Sequence, residues 1–235
     1  MRFLMWVAAF ALLSGCQSST GMSDWFQFGK SVATEAGFSE QAKAADAVYD
    51  TLSSASNVAS LAMGKQGSYD IPLPEQIRSM EPALAKVGLG GVTQALKAKM
   101  NEAASQAAGE AAPYFTAAAK NMTIADALGL MLGGDTSVTD YFRGQTETAL
   151  AGKMQPVVQS KLKATGFYDQ YQTFLGAYKL LPLAKKPDLD IEAYVVDKTL
   201  DGLYNRIGEE EKAIRKDPKK AGSALVEQLL AKPGA

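Results

Sequence analysis

Residues 137–166 read SVTDYFRGQTETALAGKMQPVVQSKLKATG, and this stretch decides the fold class. Ser137 and Asp140 are typical of a helix start, and Gly166 is typical of a helix end. Mostly apolar residues recur between them every three to five positions, which places them on one helix face. Pro156 is expected to kink this helix. The predicted face consists of Val138, Phe142, Thr146, Leu150, Met154, Val157 and Leu162.

Helical periodicity continues on both sides of this stretch, and no segment shows the alternation of a half-buried strand. Thr123 is expected to cap a short helix, with Asp126 reaching back to it. Asp217 and Pro218 are expected to start the last helix. The sequence therefore predicts an all-α fold, an irregular multi-helix bundle formed by a single domain over residues 39–235. The other helices are predicted over residues 39–63, 74–87, 92–107, 167–181 and 191–214.

The N-terminus has the pattern of a bacterial lipoprotein signal. Arg2 precedes a short apolar run, which as a helix covers about 16 Å and cannot cross a bilayer core of about 30 Å. Ser14 and Gly15 then stand directly before Cys16, as in a lipobox. We therefore expect removal of residues 1–15 as a signal peptide and acylation of Cys16 with palmitate or a similar chain, which anchors the protein stably when two or more chains are present.

The residues after Cys16 predict where the lipid-anchored protein resides. Gln17 stands where an aspartate would favour retention in the inner membrane, so by analogy with lipoprotein sorting we expect the outer membrane, facing the periplasm. Residues 16–38 are expected to form the lipidated cysteine and its tether, because residues 17–23 are small and polar, as in a flexible linker.

The composition excludes several classes of chemistry. The chain contains no histidine, and Cys16 is its one cysteine. Nucleophilic sites built on histidine or cysteine, histidine zinc sites and structural disulfides are therefore excluded. Without Arg2, 23 basic side chains face 25 acidic ones and no basic block stands out, so no nucleic-acid partner is predicted. No cofactor is predicted either.

A possible calcium loop begins at Asp188, where carboxylates alternate up to Glu192. Ala193 stands at the position that requires glycine, and Thr199 stands where the loop needs a glutamate. The segment is therefore interpreted as a helix cap, and no metal site is predicted.

Two groups of side chains are candidates for a site. Six polar residues are expected to meet between helices, either as caps and buried pairs that fix how the helices dock or as a functional site. The aromatic residues of the C-terminal half suggest core packing with hydroxyl groups at the rim, or a groove for a peptide, glycan or lipid. The polar residues are Asp126, Tyr141, Arg143, Asp201, Glu211 and Arg215; the aromatic residues are Tyr141, Tyr168, Tyr171, Phe174, Tyr178, Tyr194 and Tyr204.

A set of short motifs, in order along the chain, resembles the DUF4197 family over residues 71–230. This resemblance implies a helical fold and a place in the envelope of Gram-negative bacteria, and it provides no catalytic residues. The matching motifs are Ile71-Pro72-Leu73-Pro74, Asn101 with Ala103-Ala104, Met122-Thr123 with Asp126-Ala127, Tyr141-Phe142-Arg143, Pro156-Val157-Val158, Asp201-Gly202-Leu203, Glu210-Glu211 with Ile214-Arg215, and Asp217-Pro218.

Two functions fit these observations. The first is a lipid-anchored, non-catalytic envelope module that binds a protein, lipid or cell-wall partner. The alternative is an enzyme that uses paired carboxylates, for instance on cell-wall glycan, because glycosidases need two such groups about 5 to 9.5 Å apart across an open cleft. The carboxylates considered for this role are Glu110, Asp126, Asp135, Glu210 and Glu211.

Overall fold

The computed structural model describes residues 22–181 and 189–231. The described residues divide into two units, one up to Ser39 and one from Glu40 onward. In the first unit, residues 22–39 are helical. The second unit contains a continuous hydrophobic core of its own residues. The predicted signal peptide, Cys16 and Asp188 lie outside the described residues.

The described residues are helical and contain no strand, which confirms the predicted all-α, multi-helix fold. None of the described helices is both long enough and apolar enough to cross a bilayer. A short 3-10 helix, Pro218–Ala221, precedes the last α-helix. The α-helices are α1 (Met22–Met63), α2 (Glu75–Arg78), α3 (Glu81–Lys86), α4 (Gly90–Gly109), α5 (Ala112–Lys120), α6 (Ala127–Met131), α7 (Ser137–Ala164), α8 (Phe167–Tyr178), α9 (Ile191–Lys216) and α10 (Ala224–Leu230).

The long helices α7 and α9 pack against each other, and α4 packs against both. The face of α7 that the sequence predicts is buried, with one exception. Val157 is half-buried, and Val158 is buried in its place. Because Val158 lies four residues after Met154 and four before Leu162, it continues the row that repeats once per helical turn.

Three aromatic side chains join α5, α7 and α9 in the core. Phe115 of α5, Phe142 of α7 and Tyr204 of α9 are almost fully buried. Their ring centroids lie 5.2 to 5.9 Å apart in tilted and edge-to-face arrangements, which aromatic pairs favour. This trio fixes α5 beside α7, where a groove described below is found.

Two predicted helices have different bounds in the structure. The first helix begins at Met22 rather than at Ser39, so residues 22–38, which are predicted to belong to the tether, are helical. The predicted helix over residues 74–87 is divided into α2 and α3. Pro82 explains the division, because its ring conflicts with a helical carbonyl at Arg78, four residues earlier.

The last helix also begins later than predicted. Pro218 starts only the short 3-10 turn, which ends at Gly222. Gly222 has a φ of 66°, in the left-handed region that favours glycine and interrupts a helix. Ser223 follows and caps α10, its hydroxyl accepting the N–H of Val226.

Asp190 caps the N-terminus of α9, as the sequence predicts for this segment. Its carboxylate accepts the N–H of Ala193 at 2.9 Å. This bond satisfies one of the backbone donors that a helix start leaves without a helical partner. Asp190 therefore acts as a cap, in agreement with the interpretation that the sequence favours over a calcium loop.

Candidate functional site

Glu211 of α9 caps the N-terminus of another helix, α7. The N–H of Val138 donates to Glu211 Oε1 at 3.1 Å, and the N–H of Thr139 donates to Oε2 at 2.7 Å. The Thr139 hydroxyl also donates to Oε2, at 2.6 Å. Thr136, at the N-cap position, makes no side-chain capping bond of its own. The carboxylate therefore satisfies the free N–H groups of α7 and faces the positive end of its dipole.

Arg215, one turn after Glu211 on α9, binds the end of α6. Its Nη1 donates to the carbonyl of Met131 at 2.7 Å, and its Nη2 donates to that of Leu130 at 2.9 Å. The guanidinium also pairs with Glu211, at 3.0 Å from Nε and 2.7 Å from Nη2. The pair thus attaches the corner between α6 and α7 to α9, and its geometry is that of a structural clamp.

Arg143 of α7 and Asp201 of α9 form a second ion pair, closer to the surface. About a third of each side chain is exposed, 33% and 29%. Arg143 also binds Glu147 at 2.6 Å, and Lys198 binds Asp201 at 2.9 Å. The guanidinium lies over the ring of Tyr204, 5.2 Å from its centroid, as in a cation–π contact. The contacts of Arg143 with Asp201 and with Tyr204 join α7 to α9 at this point.

Neighbouring side chains shift the pKa values of Arg143 and Asp201 so that both residues stay charged. Burial tends to raise the pKa of Asp201, but hydrogen bonds from Lys198 and Arg143 lower it below its ordinary value. The pKa of Arg143 is raised, chiefly by its hydrogen bond with Glu147. Burial raises the pKa of Tyr204 to about 12. Near neutral pH Arg143 and Asp201 are therefore both charged, and Tyr204 is neutral.

Asp126 and Tyr141 lie near α6 but make separate contacts. Asp126 caps α6 by accepting the N–H of Gly129 at 2.9 Å, so the predicted cap at Thr123 is wrong. The carbonyl of Thr123 instead accepts the hydroxyl of Tyr141 at 2.7 Å.

The structure thus brings the six predicted polar residues together in part. Arg143 meets Asp201, and Glu211 meets Arg215. Within residues 22–181 and 189–231, no hydrogen bond or ion pair joins the first pair to the second. Each pair connects α9 to α7 or to the corner before it.

A groove of about 720 Å³ lies between α5 and α7, outside these polar contacts. The α7 side presents two rows of residues spaced by four, so each row follows one helix face. Lys153 ends the outer row, roughly 12 Å along the helix from Gln145 at its start. The outer row is Gln145, Ala149 and Lys153, and the inner row is Thr146 and Leu150.

The α5 side of the groove is formed in the same way. Its residues repeat at intervals of four, and alanines occupy the middle of each row. A methyl side chain is too short to reach the facing helix, and the space left over is the groove. The rows on this side are Pro113, Ala117 and Asn121, and Tyr114, Ala118 and Met122; α5 itself ends at Lys120, and Thr123, just beyond it, also lines the groove.

Comparison with known protein families finds one family whose pattern matches this chain. The pattern of the family described as "Protein of unknown function (DUF4197)" matches residues 39–231, which is most of the chain. The chain belongs to the DUF4197 family. The resemblance that the sequence motifs predict is therefore confirmed. No curated protein and no solved structure matches the chain.

Most of the carboxylates considered for catalysis are bound to other groups in this DUF4197 protein. Two of them cap helices, and two form ion pairs. Asp135 is exposed, shortly before α7 begins. None of the five lines the α5–α7 groove. The partners are Lys161 for Glu110, Arg206 for Glu210, the start of α7 for Glu211 and the start of α6 for Asp126.

The aromatic residues of the C-terminal half mainly pack along α8. Phe167, Tyr171, Phe174 and Tyr178 form a stack with successive centroids 6.0 to 6.2 Å apart. The hydroxyl of Tyr168 donates to Glu192 at 2.5 Å, and both burial and this bond raise the pKa of Tyr168. This arrangement agrees with core packing and bonded hydroxyl groups at the rim.

The groove cannot be predicted from the sequence, because its lining residues carry little chemical signal. Alanine is common in helices because it is the best helix former, whether or not it faces another helix. A sequence therefore does not show which alanines face a neighbouring helix. The sequence shows that Ala149 and Lys153 share one face of α7. It does not show that α5 is the helix opposite that face. Among the described residues, no group of three or more carboxylate, histidine or cysteine side chains could hold a metal ion.

Proposed function

We propose that this DUF4197 protein is a lipid-anchored envelope module, attached through Cys16 to the periplasmic face of the outer membrane. Its helical domain binds the apolar part of a lipid in the α5–α7 groove, and it does so without catalysis. The lipobox at Cys16 supports the anchor, and Gln17 after it supports the outer membrane.

The groove is the observation that carries the binding function. Its volume of about 720 Å³ falls within the range of about 300 to 1,000 Å³ that is typical of ligand pockets. Alanines and Leu150 line the middle of its rows, and the six polar residues among the twelve that line it stand toward the ends of the rows. This combination suits an apolar chain, whose burial is favourable in proportion to its area.

The carboxylates support binding rather than hydrolysis. A glycosidase needs two carboxyl groups across a cleft, one of them free to protonate the leaving group. Glu211 and Asp126 are instead occupied by helix N–H groups, and Glu110 and Glu210 by cationic side chains. Since the groove lining contains no carboxylate, the open site and the acidic groups lie in different places.

The proposed anchor predicts that Cys16 carries an acyl chain. When the full chain is produced in a Gram-negative host that is fed an alkyne-labelled palmitate, we expect the label on the protein in the outer-membrane fraction. Replacing Cys16 with serine should remove the label and leave an uncleaved precursor, because the hydroxyl does not accept the lipid. Gel mobility and in-gel fluorescence measure both effects.

The control for this experiment is Gln17→Asp, which retains the cysteine. It should keep the label and move the protein to the inner-membrane fraction. A labelled Cys16→Ser protein, or an unlabelled wild-type protein, would contradict the anchor.

The binding function predicts a bound small molecule after purification. Residues 22–235, exported to the periplasm and recovered under mild conditions, should show an added mass of lipid size in native mass spectrometry. Replacing Ala149 with leucine should remove this mass, because the longer side chain occupies the middle of the groove. The exposed position tolerates leucine, which has nearly the helix propensity of alanine.

Ala98→Leu is the matched control, since Ala98 is an exposed alanine of α4 outside the groove. It should retain the added mass. An adduct that survives in Ala149→Leu, or a wild-type protein that carries none, counts against the groove as the binding site.

A further inference from the structure

The groove has a single charged residue in its lining. Lys153 stands at the end of the outer α7 row, and no aspartate or glutamate lines the groove. Within the described part of the chain, no carboxylate forms an ion pair with Lys153. The groove therefore carries one positive charge at one end of its α7 side.

The part of the groove next to Lys153 is suited to a hydrocarbon chain. Ala149 and Leu150 precede Lys153, and Ala117 and Ala118 face them from α5. These side chains offer no hydrogen-bond donor or acceptor, so a polar ligand group placed beside them would lose its hydrogen bonds to water. An extended acyl chain has no such group and gains by burial.

The positive charge of Lys153 and the apolar residues beside it suit a ligand with one charged end and an apolar chain. We propose that the α5–α7 groove binds a fatty-acid anion, with its acyl chain over the alanines and its carboxylate at Lys153. A single lysine matches one negative charge, whereas a phosphate monoester carries about 1.5 to 2 at neutral pH. This inference rests on the proposed function, in which the same groove binds the apolar part of a lipid, and adds the headgroup.

Decanoate and decanol separate the contribution of the headgroup from that of the chain. Residues 22–235 contain every helix described above and can be labelled with 15N after bound lipid is removed. Each probe is titrated while amide shifts are followed by NMR. We expect saturable shifts at Ala117, Ala118 and Ala149, with decanoate bound up to about fivefold more tightly than decanol, the upper end of what an exposed ion pair contributes.

Charge reversal tests the role of Lys153. Lys153→Glu should weaken decanoate binding at least tenfold and change decanol binding less than twofold. Lys163→Glu is the matched control, because Lys163 is an exposed lysine on the same helix outside the groove. It should change the affinity for either probe less than twofold.

The outcomes distinguish the two proposals. If decanoate and decanol bind equally and Lys153→Glu has no effect, the fatty-acid anion is wrong while a groove for apolar chains stands. If decyl phosphate binds tenfold more tightly than decanoate, the headgroup is not a carboxylate. The fatty-acid anion is then wrong, and a groove for apolar chains again stands. If neither chain gives saturable shifts at the alanines, or Ala149→Leu leaves them unchanged, the proposed function fails as well.

Discussion

Replacement of Glu211 by alanine is expected to lower the free energy of unfolding by about 3 to 5 kcal/mol, the range for breaking a buried ion pair. Glu211 is 1% exposed, and its loss removes the cap of α7 and the partner of Arg215 together. Arg215 would then retain carbonyl partners but no countercharge. Urea denaturation of residues 22–235, followed by far-UV circular dichroism, measures the change.

Glu209→Ala is the matched control, because Glu209 lies two residues earlier on the same helix and 64% of its side chain is exposed. Its pair with Arg206 is a surface contact, and such pairs contribute about 0 to 1 kcal/mol. If both variants lose the same free energy of unfolding, the capping bonds of Glu211 contribute no more stability than a surface ion pair. If Glu211→Ala does not fold, Glu211→Gln keeps the shape and should be intermediate.

The second large effect is expected at Gly202 of α9. A Cβ at this position would lie 2.4 Å from Cε1 of Tyr69, closer than van der Waals contact allows. Tyr69 cannot easily move, since it is buried and its hydroxyl donates to the carbonyl of Thr199 at 2.7 Å. Gly202→Ala should therefore cost about 1 to 3 kcal/mol, as overpacked core positions do. Thermal and urea denaturation measure the loss.

Gly152→Ala provides a control of opposite sign. Gly152 lies within α7, and a Cβ there meets nothing within 4 Å. Alanine should stabilise the helix at that position by up to about 1 kcal/mol. If the clash with Tyr69 is the cause, Tyr69→Leu should reduce the additional cost of Gly202→Ala in a double-mutant cycle. Additive effects would mean that the two residues do not interact.

The parts of the fold that the sequence predicts well are those with local causes. The buried faces of α7 and α9 follow from the spacing of apolar residues, and the cap at Asp190 follows from the residue type before a helix. The division between α2 and α3 also had a local signal, Pro82, which the prediction of one helix did not use.

The candidate site depends on how helices dock, which spacing alone does not show. Glu209, Glu210 and Glu211 form a run of like residues, yet only Glu211 is buried, because of the face of α9 that meets α7. Arg143 and Asp201 are 58 residues apart and meet through the same docking. The groove is harder still to predict, since it results from volume that alanines do not fill.

The cap of α7 has a consequence for the order in which the chain acquires its structure. Glu211 is separated from Val138 and Thr139 by 73 and 72 residues. Synthesis proceeds from the N-terminus, so the start of α7 exists for some time before its capping carboxylate has been made. Contacts of such long sequence separation slow folding, because the ends of a long loop must meet before they form. We therefore expect that a chain interrupted before residue 211 leaves the corner between α6 and α7 without its clamp and more open to proteases.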